Sequence, residues 1–327
     1  MKLNRNDLPK SSGIEWITND KLTWINIEKP TREKMKMLEL HYPFHELNIE
    51  DCLSKIQIPK VDRYGDHVFV ILHFPTMDNK ENFPRSTQLA IFVGYDYLIT
   101  IHQGNLRALT EIFQICNIDQ NQRSSFMGNS SGYLFHSIID LLVDDLLHML
   151  IKIEGNLDDI EDLVFNERIA IAKDISRLRR EITTLKRLVY PLKRTILTVS
   201  REIQKFSEED LTLYFDDVKD HIDKVIEVLD ESKETIEIFK DTDFMLSAEK
   251  TNKILAILTI LFTLSIPATI FATYYGMNVN LPGGFETGTG TAAFLGPYTT
   301  FIIIILLSII PAGAMIYGFK KKGWLEF

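Results

Sequence analysis

Between Lys253 and Lys320 the chain carries a single charged residue, Glu286. No other feature of the sequence restricts the fold as tightly. Residues 254–275, ILAILTILFTLSIPATIFATYY, form a run of 22 uncharged residues, and residues 298–319, YTTFIIIILLSIIPAGAMIYGF, form a second of the same length. As a helix, each would extend roughly 33 Å, enough to cross the hydrocarbon core of a bilayer. Each contains one proline, Pro267 and Pro311, which membrane helices tolerate better than soluble ones do. Tyr274, Tyr275, Tyr298 and Tyr317 sit at the ends, where amphipathic rings favour the interface. Two such runs, adjoining at the end of the chain, argue against a pair of buried core helices.

Basic residues set the expected orientation. Lys250 and Lys253 precede the first run, and Lys320, Lys321 and Lys322 follow the second in a basic tail, 320–327. The 22-residue connection, 276–297, has neither Lys nor Arg. By the positive-inside rule both chain ends are cytoplasmic and the connection faces outside. The N-terminal stretch MKLNRNDLPKSSGIEW has no apolar h-region or cleavage site, so no signal peptide is expected. Cys52 and Cys116 have no metal-type spacing and read as reduced thiols of a cytosolic domain. A net charge of −9 argues against a nucleic-acid partner, which would demand a basic face.

The rest of the chain is charge-rich and divides in two. Residues 1–131 alternate strand and helix signals: LTWINI, HVFVILHF, QLAIFV and YLITIH as strands, REKMKMLELHY and NLRALTEIFQIC as helices. Gly94-Tyr95-Asp96 between the last two strands signals a hairpin. A mixed sheet with helices packed on it is expected. Residues 132–253 are helical throughout, with helices over about 132–165 and 167–205 and a third from near Glu208. No Gly occurs from 156 to 275 and the only prolines there are Pro191 and Pro267, so nothing ends the third helix before Tyr275. Val218, Ile222, Val225, Leu229, Ile236 and Phe239 mark its buried stripe. One helix of about 65 residues, roughly 100 Å long, is expected to join this region to residues 254–327.

Charge is sorted between these helices. Residues 208–249 hold 15 acids and 4 lysines, and residues 167–205 hold 11 bases and 4 acids. About half of these charges read as solvated faces; the acidic helix beside a basic neighbour also suits concentration of cations near a membrane entrance. His136, Asp140, Asp144 and His148 fall at successive i+4 positions. Each step drifts about 40° around the helix, so the ladder is read as a solvated or paired face and not as a metal motif. No Ser-His-Asp set, P-loop, HExxH or dinucleotide fingerprint is present, and an enzyme is not expected.

The polar residues of the first run are aligned. Asn252, Leu255, Thr259, Phe262, Ile266, Thr269 and Thr273 follow a three-four repeat, the seam of a parallel helix bundle. Hydroxyls bonded to their own i−4 carbonyls would account for single threonines but not for the alignment. No carboxylate, Lys, Arg or His lies within either run, which excludes a proton relay or tight carboxylate chelation inside the membrane. The seam instead suits a pore of hydroxyl, amide and apolar rings. Asn278, in TYYGMNVNLPGG, suits an entrance ring of neutral amides that holds a hydrated Mg²⁺ without stripping its waters. One helix forms no ring, so a cyclic homo-oligomer is required.

YGMN at the end of the first run, YFDDVKDH before it, the proline within it and KKKGWL at the end of the chain together resemble CorA-type divalent-cation channels over the whole chain. The resemblance implies a funnel-shaped homopentamer in the inner or plasma membrane. A cytosolic N-terminal α/β domain would lead to a long stalk helix that continues into the first of two transmembrane helices. Gly276, Met277 and Asn278 would form the selectivity filter, and Asn252, Leu255, Leu258, Ile266 and Thr269 the path and gate. Asp217 would bind a regulatory divalent ion between subunits, with Asp78 or Glu81 of a neighbour as candidate partners, and Glu286 would capture cations at the mouth. Mg²⁺ would be both substrate and regulatory ligand, with Co²⁺ or Ni²⁺ as further cargo and no other cofactor. Two other readings stand beside it: a zinc transporter of the same superfamily, and a non-conducting divalent sensor.

Overall fold

The computed structural model describes residues 14–54, 57–77, 83–128, 130–165, 171–277 and 299–323. Contacts within the chain divide it into two units, residues 1–243 and 244–327.

The first unit opens with a six-stranded sheet. Its strands are β1 (Ile14–Asn19), β2 (Leu22–Glu28), β3 (Lys60–Arg63), β4 (His67–Met77), β5 (Pro84–Gly94) and β6 (Tyr97–His102), and their spatial order is β1-β2-β6-β5-β4-β3. β2 and β6 pair in parallel and every other neighbour is antiparallel, so the sheet is mixed, as expected. Alternation along the strands gives it two apolar faces. Ile25, Ile27, Phe69, Ile71, Phe92 and Ile99 pack with α1 (Arg32–His41) and α2 (Glu46–Leu53). Trp24, Val68, Val70, Leu72, Ile91 and Leu98 face the opposite way. There they meet α3 (Arg107–Ile118), α4 (Gln120–Met127), α5 (Ser131–Val164) and α6 (Ala172–Ile203). The hairpin falls where Gly94-Tyr95-Asp96 predicts it, and a Cβ at Gly94 would collide with the Tyr97 ring. Cys52 and Cys116 are both free and buried. Burial raises the pKa of both thiols, Cys116 up to about 11, so neither is a ready nucleophile.

A polar thread crosses the sheet beside its parallel pair. Trp24 Nε1 donates to Thr100 Oγ1 (3.1 Å), and Thr100 donates to Asn26 Oδ1 (2.7 Å). His102 is almost fully buried. The Gly104 amide donates to its Nδ1 at 3.1 Å, so Nδ1 is unprotonated and Nε2 carries the hydrogen towards Asn26 Oδ1, 3.1 Å away. Burial pushes the His102 pKa down to about 4, and nearby Glu28 opposes this. The folded pKa lies below the unfolded one, about 6.5. This contribution to stability is therefore complete above pH 6.5 and is lost as pH falls from there towards 4. The loss is expected to be on the order of 3 kcal/mol, read from unfolding midpoints of the detergent-solubilised protein between pH 7 and pH 4. Asn in place of His102 should flatten that dependence; an unchanged slope would assign it to other groups.

α7 (Thr212–Gly276) is one uninterrupted 65-residue helix, running through Pro267. Val218, Ile222, Val225, Leu229 and Ile236 are buried in the first unit, matching the stripe read from sequence. Beyond residue 243 the helix belongs to the second unit, which also contains α8 (Thr299–Lys321). Both helices are long and apolar enough to cross a membrane, and the chain itself covers almost none of their apolar stretches. Surface of that kind needs another cover, lipid or further copies.

Candidate functional site

Two sets of residues carry chemistry, one in each unit. In the second unit, Asn252, Leu255, Leu258, Thr259, Phe262, Ile266, Thr269 and Thr273 all lie in the regular helix and are all exposed on the single chain. Thr259, Thr263, Thr269 and Thr273 each donate to the carbonyl four residues back, at 2.7–2.9 Å. The local explanation for each threonine is therefore realised in full. With the hydroxyl hydrogens committed to the backbone, these side chains present oxygen lone pairs outward. A row of acceptors suits the waters of a hydrated cation. Gly276 is the last helical residue, and the Met277 amide donates to the Tyr274 carbonyl at 3.3 Å. Asn278 and Glu286 lie outside the described residues, as do Asp78 and Glu81. Lys320 and Lys321 occupy the last turn of α8, and Lys322 follows with its amide on the Gly318 carbonyl (3.1 Å).

In the first unit, α5 and α7 bring acids and histidines together. Asp140 and Asp144 of α5 meet His221 of α7, their ligand atoms all within 4.8 Å of one another. His221 Nδ1 is 3.4 Å from Asp144 Oδ1, and its Nε2 is 4.0 Å from Asp217 Oδ1. Asp217 sits at the rim, its side chain 66% exposed. Among the described residues, buried Asp140 Oδ1 and His136 Nδ1 find no hydrogen-bond partner. Burial and the facing Asp144 raise the Asp140 pKa, and burial lowers that of His136. Two carboxylates held together without a compensating cation repel each other. A divalent ion would supply the missing charge, and oxygens with one imidazole form a competent donor set.

The reading of the i+4 ladder as a solvated or paired face holds for exposed His148 and for Asp144, which pairs with His221; His136, which is buried, departs from it. Asp140 and Asp144 take part in a constellation that no single helix contains. The signal available in sequence was His221, one turn after Asp217 on α7.

The charge sorting also has a structural outcome. Arg179 Nε bonds Glu237 Oε1 at 2.5 Å, Lys186 pairs with Asp230, and Lys193 pairs with Asp223. Tyr190 donates to Asp230 Oδ2 at 3.2 Å. The pairs step seven residues at a time in opposite directions along α6 and α7. Part of the acidity of α7 is thus neutralised within the chain. Asp220 and Glu227 pair with Lys219 and Lys224 of α7 itself (3.3 and 3.2 Å), and with Glu231 and Glu234 they line an open groove on this helix.

An α/β unit whose helix α7 runs on unbroken into the second unit, where α7 and α8 are uncovered, apolar and long enough to cross a membrane, has the make-up of a membrane protein. The chain belongs to the family described as CorA-like Mg²⁺ transporter protein, which it matches over residues 19–321. It is 28% identical to YfjQ of Bacillus subtilis (strain 168) over 93% of this chain and 90% of that one. It is 25% identical to the cobalt/magnesium transport protein CorA of Thermotoga maritima, over 93% and 83%. Among solved structures it resembles the CorA magnesium transporter from Methanocaldococcus jannaschii with a TM-score of 0.78 at 19% identity, covering 93% and 92%. At that identity the structural likeness speaks for the fold.

Proposed function

We propose that this protein is a homopentameric channel that passes hydrated Mg²⁺ into the cytosol down its electrochemical gradient. Both termini are cytoplasmic in this reading, and cytosolic Mg²⁺ closes the channel. One observation carries it: α7 runs unbroken from the level of Asp217 and His221 to Gly276. The same helix thus bears Asp217 and His221 of the acid and histidine constellation in the first unit and the aligned Asn252, Thr259, Ile266 and Thr273 seam in the second. Family membership and the Thermotoga maritima relative support magnesium and cobalt as cargo. Asp217, Asp140, Asp144 and His221 form the regulatory site in this reading, completed by a neighbouring copy. Asn278 is the filter, and Leu255, Leu258 and Ile266 are the apolar gate.

The spans hold no titratable relay, so the membrane potential drives uptake. A divalent ion gains about 4.6 kcal/mol per 100 mV, twice the value for one charge. At about 90 mV this sustains roughly thousandfold accumulation. Liposomes with an imposed potential and no pH gradient are expected to take up Mg²⁺, and collapse of the potential should end net accumulation. Uptake that requires an inward proton gradient at zero potential would overturn the channel reading and favour a coupled zinc transporter. Absence of flux for any divalent ion would favour a sensor.

A further inference from the structure

Glu181 is the one buried acidic side chain of α6 among the described residues. Ile175, Leu178, Ile182 and Leu185 of the same helix are buried, and so is Glu181, at 5% exposure. Glu181 makes no hydrogen bond or ion pair with another described residue. Glu181 lines a cavity of about 220 Å³ between residues of α5 and α6. Lys152, Leu163, Asp174, Arg177 and Leu178 also line it. Burial raises the pKa of Glu181, while Lys152 and Arg177 pull it down. A leucine at position 181 would fill this seam without the cost of desolvating a carboxylate.

The walls bear on what the cavity accepts. Its volume is below the range for drug-sized ligands, about 300–1,000 Å³, so the occupant is smaller. Among the described residues the three acids that line it, Asp159, Asp174 and Glu181, do not form a cluster of three converging ligand atoms as Asp140, Asp144 and His221 do, which disfavours a directly ligated metal. Both signs of charge are present, next to leucine side chains. Lys152 and Arg177, whose charges act on Glu181, each make a further interaction within the chain; an ammonium carries three donors and a guanidinium five.

We propose that this cavity binds a free α-amino acid. Glu181 receives its ammonium group, Arg177 and Lys152 its carboxylate, and Leu163 and Leu178 its side chain. The site belongs to the first unit, and the proposal does not depend on the function proposed above.

The test is calorimetric titration of the purified full-length protein in detergent with a panel of free α-amino acids, leucine included. The blocked forms leucine methyl ester and N-acetylleucine, and MgCl₂ alone, are run beside it. At least one free amino acid should bind and raise the unfolding midpoint. Each blocked form of leucine, which lacks one of the two charges, should bind at least about tenfold more weakly than leucine itself, the loss expected when one side of a charge-assisted contact goes. Glu181→Gln should weaken binding by a similar factor. Glu181→Leu, which keeps the seam packed, should abolish it while leaving the midpoint of the ligand-free protein unchanged or higher. The proposal is overturned if no amino acid binds, if the blocked forms bind as well as leucine, or if binding survives in Glu181→Leu. Heat from MgCl₂ alone, with none from amino acids, would make this a cation site instead. None of these readouts involves ion flux, so failure here leaves the transport reading untouched.

Discussion

Alanine in place of Asn278 is expected to lower divalent uptake at least about hundredfold in liposomes under an imposed potential, with the oligomer still assembled. In the proposed fivefold ring, five amides would hydrogen-bond to the waters of one hydrated ion. At about 0.5–1.5 kcal/mol per net hydrogen bond, losing all five removes at least about 2.5 kcal/mol, near hundredfold. Alanine has no group to replace them. Size-exclusion chromatography of the same preparation separates lost flux from lost assembly. Wild-type flux in an assembled Asn278→Ala protein would end the assignment of this residue as filter.

The second large effect concerns the acid and histidine constellation. Asp217→Ala and Asp140→Asn are each expected to raise the Mg²⁺ concentration that half-inhibits uptake by about tenfold or more. Contacts to a charged group contribute about 1.5–3 kcal/mol each, and a ligand shifts the equilibrium by no more than its differential affinity for the two states. Asp140 offers an opposite-signed control. Its pKa is raised in the folded protein, so metal-free stability falls as pH rises through that value and the carboxyl ionises beside Asp144. Asn at this position removes the repulsion, so the metal-free protein should unfold at a higher temperature than wild type. The further rise that Mg²⁺ gives wild type by mass action should shrink. A variant that is both less stable without metal and normally inhibited by Mg²⁺ would make Asp140 a packing residue only.

Much of this molecule was legible in its sequence, and what was not shares a physical cause. α7 could be read to within a residue at its C-terminal end and to within four at its start, because its signals are local: no glycine, a three-four stripe, and no stop before Tyr275. The β5–β6 hairpin was equally plain from Gly94-Tyr95-Asp96. β1 and β3 were not seen: KVDR is four mostly charged residues, and IEWITN owes its place to pairing with β2. α2 and α4, eight residues each, were also missed. They are too short to show a helical period, and contacts with the rest of the unit decide them. The constellation at Asp144 and His221 was hidden for the same reason. Its members are 77 residues apart, and only the packing of α5 against α7 joins them. The threonines show the converse, since their i−4 bonds are local and follow from sequence alone.

The three ion pairs between α6 and α7 limit how the long helix can move. Exposed pairs of this kind contribute little individually, about 0–1 kcal/mol. Their spacing matters more than their strength. Arg179, Lys186 and Lys193 meet Glu237, Asp230 and Asp223 in a single register. Sliding α7 along α6 by one turn, about 5.4 Å, would break all three together and leave each charge facing the wrong residue. Tilting or bending the two helices as a pair breaks none. Within this unit the contacts therefore act like the teeth of a rack, so that α6 travels with α7 and axial slippage between them is resisted.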